Sequence, residues 1–144
     1  GLVPFGAIGM SVFAIDFYFS THGLPPSSEM GVAAFTTQLA HWRVMADLAL
    51  LALFAGLYSV PMYALVQLRT DPSHRARIIA ANNILNALFM IVSSIMAGAL
   101  LSLGATIPQI FLLVGIANAL FTGYIFWLTP EYIQRFKAIA PWSR

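Results

Sequence analysis

Four stretches of the chain stay apolar for so long that no polar face interrupts them: residues 2–19, 48–68, 78–103 and 108–128. A bilayer core of about 30 Å is crossed by roughly 20 helical residues, so each stretch is predicted to be a membrane span. None has the ten-residue alternation of a barrel strand, and inside lipid every backbone N–H and C=O must find a partner within the protein. The predicted fold class is therefore all-α, a polytopic membrane protein of four transmembrane helices.

Between the first two spans lies the longest connection, residues 22–46, which opens with Gly23-Leu24-Pro25-Pro26-Ser27-Ser28 as irregular loop. Farther on, Phe35, Leu39, Trp42 and Met45 recur at helical spacing with Thr36, Gln38, His41 and Arg43 among them. That pattern fits an amphipathic helix at the membrane interface and equally an early start of the second span. The second connection, residues 69–77, is short and basic. Asp71 followed by Pro72 predicts a helix start there, and Pro108 predicts another after the brief third connection, residues 104–107. Links this short make antiparallel neighbours of the helices they join.

Composition agrees with the pattern, for 60% of the residues are apolar and 8% charged, whereas soluble domains carry about 25% charged residues. The net charge of +2 and pI near 9.3 do not mark a nucleic-acid binder, because the seven basic residues are few and flank apolar segments. They act as topology signals. Arg69, Arg75 and Arg77 lie between spans two and three, and Arg135, Lys137 and Arg144 lie in the tail 129–144, against Arg43 alone on the other side. Positive residues are kept in the cytoplasm, so both ends are expected there, as an even number of spans requires. At 144 residues, opening on Gly1-Leu2-Val3-Pro4, the chain is expected to be a piece of a longer protein.

Asp16 stands out as the one ionisable residue within the four apolar stretches. A central Asp is roughly 2.5–3.5 kcal/mol unfavourable on insertion scales, so it must face the bundle interior, water or a partner. Two readings follow: a proton-coupling or headgroup-binding site, or a residue wetted at the far interface. The third span opens with an amide cluster, Asn82, Asn83 and Asn86, and Ser93 extends the face that Asn82 and Asn86 share. These groups suit either a substrate path or hydrogen bonds between helices. Arg75 and Arg77 are candidates for a cytoplasmic gate as well as topology signals, and Pro61, inside the second span, is a candidate hinge. Small residues at four-residue spacing, Ala52 and Gly56, Ser94 and Gly98, and Gly115, Ala119 and Gly123, predict close helix packing. Without cysteine there is no disulfide or thiol chemistry in this stretch, and His22, His41 and His74 fall outside the spans with no metal spacing. With no phosphate loop or nucleophile elbow either, neither an enzyme nor a cofactor is expected.

Two runs carry a family resemblance: Gly56-Leu57-Tyr58-Ser59-Val60-Pro61-Met62-Tyr63-Ala64-Leu65-Val66-Gln67, and the stretch from Arg75-Ala76-Arg77 through Asn82-Asn83-Ile84-Leu85-Asn86 to Met90. Across its whole length the chain resembles the lysophospholipid transporter branch of the major facilitator superfamily, which includes members fused to an acyltransferase and an acyl-carrier-protein synthetase. The resemblance implies that the spans are the last four helices of a twelve-helix fold. It also implies movement of lysophospholipids such as lysophosphatidylethanolamine across the bacterial inner membrane by alternating access. The partners implied are the lipid bilayer, the lysophospholipid, the N-terminal half of the transporter and an acyltransferase fused or associated beyond this chain. Two alternatives stand beside it: a facilitator exporter of drugs or small metabolites, and a membrane module that anchors a fused acyltransferase.

Overall fold

The computed structural model describes residues 2–24 and 31–128. The basic tail and the Pro-Pro-Ser-Ser part of the first loop lie outside the described residues. Five helices follow one another: α1 Leu2–Thr21, α2 Val32–Thr36, α3 Leu39–Arg69, α4 Arg75–Ser102 and α5 Ile107–Leu128. All but α2 are long and apolar enough to cross a membrane.

The largest departure from the predicted spans is in α3, which begins at Leu39 rather than residue 48 and has 31 residues. At 1.5 Å per residue that is about 46 Å, well over a bilayer core. The added turns bring Arg43 and Asp47 into the helix, so Asp16 is not the only ionisable side chain in the long helices. Of the two readings of the preceding segment, the early start of the second long helix is the one seen, with a short separate helix, α2, before it. The short helix α2 ends at Thr36 with Thr37 as its C-cap, and α3 starts directly after Gln38. His41 and Trp42 tie the two together: His41 stacks on Phe35 with 4.2 Å between ring centroids, and Trp42 Nε1 donates to the Thr36 carbonyl at 2.8 Å.

α1 is the hub of the bundle. Pro4, Ala7, Ser11 and Ala14 are buried along one stripe and Gly6, Gly9, Phe17 and Ser20 along another. α3 and α5 both pack against α1, whereas α4 touches α5 only lightly. The α1–α3 contact is close because Gly6 has no side chain: a Cβ there would stand 2.7 Å from the Tyr58 backbone nitrogen. One turn on, the Phe54 ring lies over Gly9, and Phe5 and Phe13 flank it at centroid distances of 5.3 and 5.4 Å. Against α5, Gly115 meets Ala14 and Ile15, and Phe17 meets Phe111 at 4.7 Å.

Of the small-residue sets, Gly115 alone among the glycines does the packing expected of it. Gly56, Gly98 and Gly123 have open space where a Cβ would stand. Short links did not make intimate neighbours of α3 and α4 either: α4 carries large apolar side chains and buries none of them. α4 buries no residue and presents Leu85, Phe89 and other large side chains to its surroundings.

The links are built by local hydrogen bonds. Asp71 does not cap α4, which starts at Arg75; its Oδ1 instead accepts from the Ser73 amide at 2.8 Å and the Ser73 hydroxyl at 2.6 Å. α4 ends in a Schellman motif, with Ala105 N–H bonded to the Leu100 carbonyl, Gly104 N–H to the Leu101 carbonyl, and Gly104 at φ +92°. Thr106 and Gln109 then cap α5 reciprocally, side chain to backbone in both directions.

Candidate functional site

Two polar features lie at opposite ends of α3. Toward its C-terminal end, α3 and α4 border a cleft of about 300 Å³ lined by Tyr58, Ser59, Met62, Tyr63, Asn82 and Asn86, among others. Asn86 Nδ2 donates to the Tyr63 hydroxyl at 2.8 Å. That leaves the hydroxyl hydrogen and the Asn86 carbonyl oxygen free to address a ligand. Tyr58 and Met62 also line a second cavity, of about 80 Å³, whose other walls include Val3, Pro4, Phe121 and Ile125. A polar cleft and an apolar cavity thus adjoin across two side chains.

Positions 75, 79, 82, 86 and 93 fall on one face of a 3.6-residue helix, which sets Arg75 two turns from Asn82 at the Arg69–Arg75 end of the cleft. Ser93 continues this face, but its hydroxyl is bonded to the Phe89 carbonyl at 2.6 Å. Asn83 is turned about 100° from Asn82 and is exposed, outside the cleft. Arg77 is likewise exposed on another face, and neither Arg75 nor Arg77 is in an ion pair among the described residues. Pro61 sits within α3, which remains helical through it.

The other feature joins the C-terminal part of α1 to the early turns of α3. Arg43 donates to Asp16 Oδ1 at 2.7 Å, with the two side chains 57% and 37% exposed. Asp47, one turn beyond Arg43, is 3% exposed and lies beside Asp16 and Ser20. Its Oδ2 is buried with no hydrogen-bond partner. Sequence reading missed Asp47 because the apolar stretch begins at residue 48, whereas α3 starts nine residues earlier at Leu39. Four-residue spacing to Arg43 was the available signal.

Asn118 was also missed. From α5 its Nδ2 donates to the Ala7 carbonyl at 2.9 Å and the Ser11 hydroxyl at 2.8 Å, clamping α5 to α1. A single Asn in an apolar run gives no spacing by which to find its partner. Among the described residues no cluster of His, Cys, Asp and Glu is able to hold a metal ion. Comparison with known proteins finds no matching family model, no matching curated protein and no matching solved structure.

Proposed function

We propose that this chain forms one wall of a membrane transporter of the major facilitator kind and that its cargo is a lysophospholipid. The observation that carries the reading is the adjoining pair of cavities: uncharged hydrogen-bonding groups from Tyr58, Ser59, Tyr63, Asn82 and Asn86 beside an apolar cavity reached past Tyr58 and Met62. Such a surface suits an amphiphile, whose glycerol and ester oxygens take the polar side while part of its acyl chain lies against the apolar one. Arg75, two turns before Asn82 on the same face of α4, is the cation assigned to the phosphate. The lipid nature of the cargo rests also on the resemblance carried by residues 56–67 and 75–90.

The test is uptake of labelled lysophosphatidylethanolamine by cells expressing the full-length protein, against empty vector. Asn86→Ala and Tyr63→Phe each remove one partner of a hydrogen bond worth about 1 kcal/mol, so each is expected to lower uptake about fivefold at normal membrane levels. Absence of uptake by well-expressed wild type overturns the lipid reading in favour of a small-molecule exporter.

A further inference from the structure

The Asp47 carboxyl is the least comfortable group in the described bundle. It is 3% exposed, its Oδ2 has no hydrogen-bond partner, and its neighbour is a second carboxyl, Asp16. A buried carboxylate costs several kcal/mol unless it is paired and its lone pairs are satisfied. Here the one guanidinium within reach, Arg43, is already bonded to Asp16. Ser20, the polar neighbour on α1, is the one hydroxyl beside the carboxyl, and that hydroxyl is shared with the Phe17 carbonyl at 3.1 Å.

We propose that Asp47 is a proton-binding residue and that Asp16, Asp47 and Arg43 together hold a single exchangeable proton between α1 and α3. With the proton on Asp47, Arg43 neutralises Asp16 and the cluster carries no net charge. Arg43 and Asp47 are four residues apart on α3 and share a face, so Arg43 can lean from Asp16 toward Asp47. When it does, Asp47 releases its proton to solvent past the more exposed Asp16, and the cluster is left with one negative charge. The release loosens the Asp16–Arg43 tie between the two helices, which links proton occupancy to their packing. Among the described residues no other charged group competes: α5 and α4 bring none to this end, His41 is held at the Phe35 carbonyl, and His22 lies edge-on to Tyr18. The inference is independent of which cargo is carried.

Infrared difference spectroscopy of the full-length protein in lipid bilayers tests it directly. A protonated-carboxyl C=O band is expected at neutral pH, disappearing as pH rises. Asp47→Asn, which is isosteric with the protonated acid, is expected to insert normally and to lose the band; Asp47→Glu keeps it at a shifted frequency. In Asp16→Asn, Arg43 is freed for Asp47 and the band disappears at lower pH than in wild type. A wild-type spectrum without such a band at neutral pH overturns the proposal. So does a band that Asp47→Asn and Asp47→Glu both leave unchanged, or a carboxylate that responds to sodium and not to protons.

Discussion

Asn118 and Asn86 show how one residue type serves two purposes in an apolar helix. Asn118 spends its amide on the Ala7 carbonyl and the Ser11 hydroxyl, in two part-buried hydrogen bonds, and so fastens α5 to α1. Hydrogen bonds between membrane helices average about 0.6 kcal/mol and reach about 1.7, so Asn118→Leu is expected to lower stability in detergent or bilayers by about 1 kcal/mol. Reversible unfolding of the two forms checks it, and an unchanged value would show that the clamp is incidental. Asn86, by contrast, faces an open cleft. The amide cluster was legible in the sequence because three Asn fall within five positions, whereas Asn118 is isolated and its partners lie more than a hundred residues away. Asp71 makes a different point, outside the spans. The Ser73 hydroxyl and then the Ser73 amide, both donating to its carboxylate, hold its pKa below the ordinary 3.8. A lowered carboxylate pKa means that the turn is supported above 3.8 and loses that support as pH falls through the lower folded value. Amide exchange at Ser73 is expected to quicken over that acid range in wild type beyond the ordinary pH trend, and to show no such step in Asp71→Asn.

Helices were legible as elements because a long apolar run admits no other backbone in lipid, but which helix packs on which was not. Packing is decided by the size of side chains on facing surfaces, and the same Gly and Ala occur on faces that meet nothing. Gly56 and Gly98 belong to regularly spaced pairs yet stand in open space, while Gly6 and Gly9, three apart near the start of α1, allow the closest helix contact described. The residues of α3 they meet, Phe54 and Tyr58, are themselves four apart. Gly6→Val must therefore push α3 away from α1 and is expected to cost about 1–3 kcal/mol, the usual range for overpacking. Gly56→Ala, with space to fill and better helix propensity, is expected to be neutral or slightly stabilising. Thermal unfolding of the two variants in one detergent separates them; equal losses would mean that the α1–α3 approach is not the tight contact described. Helix ends were legible only in part. Asp71-Pro72 resembles a helix start but makes a turn one step earlier, because Ser73 offers the Asp carboxylate a nearer donor than the first turn of α4 does.

At the scale of the molecule, the number of spans and the charge bias agree, while the arrangement of the bundle adds something neither implies. α1, α3 and α5 form a packed unit, and α4 lies beside it with its amide face toward the cleft and large apolar side chains elsewhere. This layout puts the polar cleft near the Arg69–Arg75 link and the Asp16–Asp47–Arg43 cluster near the opposite end, about 16 Å apart along α3 by the rise per residue between Asp47 and Tyr58. Each therefore faces a different aqueous side if the bundle crosses the bilayer. On the positive-inside rule the Arg69–Arg77 link is expected in the cytoplasm, and with it the cleft on the cytoplasmic half and the carboxyl cluster on the outer half. The 144 residues contain no cysteine, so a cysteine placed among them is the one thiol of this stretch and reports its orientation, with the unsubstituted protein as the control for any other thiol. His22→Cys and Leu103→Cys, beyond the ends of α1 and α4, are expected to react with a membrane-impermeant maleimide on intact cells. Ser73→Cys is expected to react only after permeabilisation. Labelling of Ser73→Cys from outside, with His22→Cys protected, would invert the bundle and turn the amphiphilic cleft outward. The carboxyl cluster would then exchange its proton with the cytoplasm, so the same measurement decides which side of the membrane each site serves.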